Sequence, residues 1–234
     1  MAQLIERIRG RIVGYDERRR ELLIRAPYDD FATMDRREYQ EVDVIPIDSR
    51  PLSDRQRRCC YAMLNAIAAW SGEELDILKD HFKLDFIARM EEDMELFSLA
   101  NARMSVVAAF QTYLARFIVA NDVPTRRPML DFVDDIDDYV YQCVIHKKCP
   151  VCGKRAELHH IDTVGMGRNR EEIIHEGLEV MSLCREHHTE IHIMGLQAFL
   201  KRYHLNGGVI ADKTICIIYG LRTKRRQRPS SQRG

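Results

Sequence analysis

The residues best suited to chemistry are cysteines and histidines in the last third of the chain. Cys149-Pro-Val-Cys152 is followed by Cys184-Arg-Glu-His187. A Cys-x-x-Cys knuckle brings two thiolates onto one ion, and a second pair at a helix start can close a tetrahedron around zinc. One pair alone says little. Two within one short module read as a structural zinc site made by Cys149, Cys152, Cys184 and His187. Between the pairs, Glu157-Leu158-His159-His160-Ile161 alternates like a strand, and adjacent strand residues face opposite ways. One of its histidines can therefore bind a metal while the other acts as a base. His188 and His192 are four residues apart and share one face of a helix expected to begin near Arg185. On that helix His187 is rotated by about 100° from His188, so it can serve the zinc while His188 and His192 serve a second ion. The plainer alternatives are thiols buried as small hydrophobes and histidines left in solvent or gathered on one structural metal.

Bulk composition permits this chemistry without pointing to it. The 234 residues are 45% hydrophobic and 31% charged, with a formal net charge of zero. That is enough for one large core or two modest ones. A nucleic-acid partner must be argued from local charge. Arg50, Arg55, Arg57 and Arg58 cluster in one stretch and Arg222, Lys224, Arg225, Arg226 and Arg228 in another, while Asp131, Asp134, Asp135, Asp137 and Asp138 gather elsewhere. Residues 1–11 lack the continuous apolar stretch of a secretory signal, and no apolar run reaches the roughly 18 residues a membrane span needs. Seven cysteines, several in metal-ligand spacing, suit a reducing compartment. The expectation is a cytoplasmic protein with no membrane partner.

The elements that must position the histidines follow from periodicity. Leu4, Ile5, Ile8, Ile12 and Val13, then Leu22, Leu23 and Ile24, read as two strands with a turn at Gly14 to Glu17. Val42, Val44, Ile45 and Ile47 suggest a third strand, placed at an edge by Pro46. Ser53 with Gln56 is a capping box, and Cys60, Leu64, Ile67 and Ala68 keep helical spacing to Ser71 and Gly72. Ser71 with Glu74 repeats the box ahead of Leu75, Leu78, Phe82 and Phe86. A third helix is predicted over Met104 to Ala120. Pro124 and Pro128 mark a linker, and Thr214 to Tyr219 a final strand. Trp70 and Phe97 are expected in the core, as is Cys143 beside Tyr139. The fold class is α+β: a small antiparallel sheet plus helices, then a zinc-stabilised module of two strands and a helix around a metal. The expected division is a β-then-α domain over 1–123, a linker over 124–140, the metal module over 141–221 and a basic, disordered tail over 222–234.

The order Cys-x-x-Cys, His-His-Ile, Cys-x-x-His-His-x-x-x-His over residues 143–205 resembles the HNH, or ββα-metal, nucleases, and the whole chain resembles HNH nucleases of phages. The resemblance implies that His160 is the general base and that His159, His188 and His192 hold a catalytic divalent cation, magnesium or manganese, with nickel or zinc also compatible. The family's central asparagine usually lies shortly before the second zinc pair, where this chain has Glu179. Asn169 lies upstream and His175 nearby, so the middle position stays open.

Arginines supply candidate DNA contacts. Arg55, Arg57 and Arg58 open the first helix, where phosphate binding is physically reasonable, and Arg168 and Arg170 lie on a Gly-containing loop. Solvated turns are the alternative. Residues 42–124 resemble the Orf-type recombination proteins of phages, through the Arg-x-Leu-Ser-x-x-Gln-Arg entry, the Ala-Ile-Ala-Ala-Trp-Ser-Gly helix end and Phe97-Ser98-Leu99. That likeness implies single-stranded or branched DNA and single-strand-binding protein as partners, and a homodimer in the cytoplasm of a bacterial host. Two functions compete: a metal-dependent DNA endonuclease in phage recombination or replication, and a non-catalytic recombination mediator with a structural zinc.

Overall fold

The computed structural model describes residues 10–30, 50–90, 96–161 and 174–223, together with residues 8, 32, 36, 44 and 48. The chain divides into two compact units, Met1–Ile47 and Asp48–Gly234.

In the first unit, β1 (Arg11–Asp16) and β2 (Glu21–Arg25) form an antiparallel hairpin. Ile12 pairs with Ile24 and Tyr15 with Leu22, with a bulge between Ile12 and Gly14. The turn falls at residues 17–20, three residues later than expected, because Asp16 accepts hydrogen bonds from the backbone N–H groups of Arg18 and Arg19 at 2.9 and 3.1 Å. Asp side chains make such turns readily, and the bulge keeps Gly14 and Tyr15 in the strand. The third expected strand lies outside the described residues apart from Val44, which is exposed and in no strand.

The second unit opens with α1 (Asp54–Ser71). Ser53 Oγ accepts from Gln56 N–H at 3.1 Å, and Gln56 Oε1 accepts from Ser53 N–H at 3.1 Å. Such a cap stabilises a helix start by about 1 kcal/mol. The helix ends at Gly72, which takes the left-handed conformation at φ 79. Ser71 closes α1, its hydroxyl meeting Ala68 O and Glu73 N–H. It is therefore not the cap of α2 (Leu75–Arg89), whose N-cap is Glu74. α3 (Met104–Ala120) lies across α1, and Cys60, Met63, Leu64 and Ile67 meet Val107, Phe110, Leu114 and Ile118 in one core. Each such buried side chain contributes about 1.5–3 kcal/mol. Phe97 packs on Phe86 and Phe110 as expected. Trp70 does not join the core: it stays 45% exposed, its ring edge-on to Phe117.

The stretch read as a linker holds a short 3-10 turn, Met129–Asp131, and the first half of α4 (Ile136–Ile145). Asp135 starts α4 by accepting from Asp138 N–H at 3.0 Å. The helix joins two halves of the unit. Tyr139 and Cys143 belong to the helical core, Val140 packs with Met181, Leu183 and Phe199, and Val144 packs with Val180 and Ile215. Arg116 of α3 clamps it by donating to Asp138 at 3.0 Å.

Beyond α4, β3 (Glu157–His160), β4 (Glu179–Leu183) and β5 (Val209–Ile210) form an antiparallel sheet in the order β3-β4-β5. α5 (Arg185–Met194), α6 (Leu196–Tyr203) and α7 (Lys213–Tyr219) complete it. The expected final strand at Thr214 to Tyr219 is thus a helix. Asp212 caps its start through Ile215 N–H at 2.8 Å, and Gly220 closes it at φ 64. The two caps outweigh the β preference of the isoleucines. The architecture is α+β, with an N-terminal hairpin, helices, and a C-terminal β3-β4-α5 region carrying the cysteine and histidine ligands. No described helix is long and apolar enough to cross a membrane.

Candidate metal centres and active site

Two loops bring the four expected zinc ligands together. Cys149 and Cys152 lie on a knuckle between α4 and β3, where Gly153 N–H donates to Cys149 O and Cys149 N–H to Lys154 O, both at 2.8 Å. Cys184 is the N-cap of α5, and His187 lies in that helix's first turn. His187 Nδ1 is 3.5 Å from Cys149 Sγ and 3.1 Å from Cys184 Sγ, and Cys152 Sγ is 3.6 Å from Cys184 Sγ. Zinc bonds of about 2.3 Å to sulfur and about 2.0 Å to nitrogen put tetrahedral edges at about 3.8 and about 3.5 Å. The quartet fits zinc. Burial pushes the Cys152 thiol up to about 12, and Cys149 upward as well, so these thiols hold their protons until a metal displaces them. All seven cysteines are free thiols rather than disulfides, and Cys143 is buried with Tyr139 in the helical core.

A second cluster joins β3 to α5. The alternation of β3 turns His159 toward α5, where its ring centroid is 4.7 Å from that of His188 and 5.1 Å from that of His192. His188 and His192, one turn apart, bring their Nε2 atoms to 3.3 Å. One ligand nitrogen from each of the three lies within 4.8 Å of the others, a donor set suited to a divalent ion. Burial, and after it the neighbouring imidazoles, hold His159 down at about 4. It is therefore neutral at working pH, as a ligand must be.

His160 faces the other way. Its Nε2 lies 2.8 Å from His175 Nδ1, with ring centroids 4.9 Å apart. His175 occupies a turn closed by Leu178 N–H donating to His175 O at 3.0 Å. Gly177, third in that turn, has φ 97, a value that favours glycine. Sequence reasoning noted His175 without giving it a place. Its only signal was a histidine two residues ahead of a turn glycine. Glu179, at the expected position of the family asparagine, accepts from Gly208 N–H at 2.7 Å.

The arginines are distributed differently from the histidines. Arg55 pairs with Asp134. Arg57 donates to Leu99 O and Ala100 O, both at 3.0 Å, and pairs with Asp54. These two tie α1 to its neighbours, while Arg58 is exposed. Arg168, Arg170 and Asn169 lie outside the described residues, as does the tail beyond residue 223.

No curated protein and no solved structure matches the chain. One family model does, described as "Putative HNHc nuclease", over residues 30–218. The match takes in both ligand clusters and the His160–His175 pair. The chain therefore belongs to the HNHc nuclease family, whose members are metal-dependent, nucleic-acid-binding hydrolases.

Proposed function

We propose that the protein is a DNA endonuclease with His160 as general base, and with His159, His188 and His192 holding the catalytic cation. The observation that carries this reading is the split at the end of β3: His159 converges with two helix histidines, while His160 is turned to the opposite face and held by His175. The chemistry such an ion supplies when bound is neutralisation of charge on the scissile phosphate and the departing oxygen. His160 takes a proton from water, and the water oxygen forms a bond to phosphorus. The bond from phosphorus to the leaving oxygen breaks; that oxygen departs with the electron pair and is protonated by solvent. A neutral imidazole, with an ordinary pKa of about 6.5, can take that proton at working pH. Cys149, Cys152, Cys184 and His187 hold zinc and anchor α5, so that His188 and His192 meet β3.

Magnesium or manganese is the proposed catalytic ion, and the all-nitrogen donors also admit nickel or zinc. We further place the enzyme in phage recombination or replication, in a bacterial host's cytoplasm, acting as a homodimer on single-stranded or branched DNA beside single-strand-binding protein. The resemblance of the sequence over residues 42–124 to Orf-type proteins is the ground for that setting, together with the exposed Trp70, which is available to stack on an unpaired base. Arg58, Arg168 and Arg170 are the proposed phosphate contacts, while Arg55 and Arg57 reach DNA only by giving up their present partners.

Nicking of supercoiled plasmid and of single-stranded circles, with magnesium, manganese or nickel, tests the reading. Wild type and zinc-loaded His160→Ala are compared. Metal-dependent cutting that disappears in His160→Ala is expected. DNA binding without cutting in any metal transfers the protein to the mediator class, and cutting that survives the substitution removes His160 as base.

A further inference from the structure

We infer that His175 is the positioning residue of the reaction: it accepts a hydrogen bond from His160 and so fixes which His160 nitrogen takes the proton. The role rests on the nuclease reading above, whereas the contact stands on geometry alone.

The two imidazoles meet Nε2 to Nδ1 at 2.8 Å, and one hydrogen must lie between them. If His175 donated it, a neutral His160 would carry its own hydrogen on Nδ1 and have no lone pair with which to act as a base. If His160 donates it, the His160 lone pair is on Nδ1 and His175 carries its hydrogen on Nε2. Only the second arrangement leaves His160 able to take a proton from water. When His160 becomes an imidazolium, both its nitrogens are donors and the bond to His175 persists. The acceptor therefore holds the ring in one tautomer and one orientation before and after proton transfer.

The backbone around His175 is fixed well enough for this task. Its N–H donates to Arg222 O at 3.0 Å and its carbonyl accepts from Leu178 N–H at 3.0 Å. Gly177 N–H donates to Ala211 O, and Ala211 N–H to Leu178 O, each at 2.8 Å. The turn is thereby fastened to the chain entering α7, beside the same sheet that carries His160. Glu179, whose place in the sequence suits the family's asparagine, has Oε1 committed to Gly208 N–H.

The test uses the full-length, zinc-loaded chain and two readouts. The first is the His160 tautomer, read from its ring nitrogens by long-range proton–nitrogen correlation NMR. The expected result is hydrogen on Nε2 in wild type, changing to a mixture in His175→Ala. Hydrogen on His160 Nδ1 in wild type overturns the inference. The second readout is steady-state cleavage. His175→Ala should lower kcat by about 10- to 100-fold, the usual range for an outer-shell hydrogen bond, with KM little changed. His175→Asn, whose amide oxygen can accept near the Nδ1 position, should recover most of that loss. A His175→Ala enzyme with full kcat, or an Asn variant no better than Ala, also overturns it. If wild type cuts no DNA in any metal, the nuclease reading fails by that result. The tautomer then decides the His160–His175 contact: hydrogen on Nε2 upholds it and hydrogen on Nδ1 overturns it.

Discussion

Cys152 and Cys184 are 32 residues apart in sequence, yet their sulfurs lie 3.6 Å apart, one tetrahedral edge of a zinc thiolate site. The knuckle carrying Cys152 follows α4, and Cys184 begins the helix that carries His188 and His192. The quartet therefore sets where α5 starts relative to β3.

Loss of one thiolate should release the zinc and loosen that placement. Cys152→Ala, or chelation of wild type, is expected to abolish the tightly held zinc and lower the melting temperature sharply. Structural zinc contributes about 10–16 kcal/mol in small finger peptides. Metal analysis and thermal denaturation check this. A variant with unchanged melting and one zinc per chain would remove the structural assignment.

The three-histidine site should be sensitive to acid, and the sign follows from His159. Its pKa is lowered to about 4 in the fold, first by burial, against about 6.5 in the unfolded chain. Between these values the unfolded state binds more protons, so the stability that His159 contributes is complete above about 6.5 and is lost as pH falls through about 4. The melting-temperature difference between wild type and His159→Ala should shrink as pH falls from about 6.5 toward about 4, and calorimetric titration of zinc-loaded protein with nickel at pH 7.5 should show a second site. His188→Ala should lose this second site and keep the zinc. A melting difference independent of pH would remove the buried, neutral His159, and a second site kept by His188→Ala would mean that these imidazoles are not the ligands.

Both metal clusters were legible because their information is local. Spacing places Cys149 with Cys152 and Cys184 with His187, and a two-residue period separates His159 from His160. The capped start of α1 at Ser53 and Gln56 is local in the same way. His175 was not legible as a partner of His160, because a turn and a backbone contact with Arg222 bring it there. Thr214 to Tyr219 read as a strand from its isoleucines, but Asp212 and Gly220 outside the run decide for a helix. Trp70 read as core by type. Its place in the last turn of α1 leaves one edge on Phe117 and the rest in solvent.

That exposure makes Trp70 a reporter as well as a candidate contact, since the chain has one tryptophan. Base stacking contributes about 1–3 kcal/mol per base, so a single-stranded oligonucleotide should quench its fluorescence. Trp70→Ala should weaken single-strand binding by about 5- to 150-fold over that range. Because the ring is 45% exposed, melting should change little. Quenching absent at saturating oligonucleotide would place the strand elsewhere.

Gly208 links the sheet to the strand that carries His159 and His160. A Cβ at this position would lie 2.5 Å from Val180 O and 2.5 Å from Ile161 Cδ1. The Ile161 methyl can swing aside, but the carbonyl belongs to β4 and cannot, so β5 must draw away from β4. Gly208→Ala is therefore expected to destabilise the fold by about 1–3 kcal/mol. For a chain of this size each kcal/mol shifts the melting temperature by about 2–4 °C. The same displacement strains the Gly208 N–H bond to Glu179 and the Ile161 N–H bond to Glu179 O, at 2.7 and 2.9 Å. Ile161 follows His160, so cleavage should fall further than the loss of folded protein explains. Thermal denaturation and single-turnover cleavage on the same sample separate the two effects. Normal melting with normal cleavage would show that β4 and β5 are not in this register.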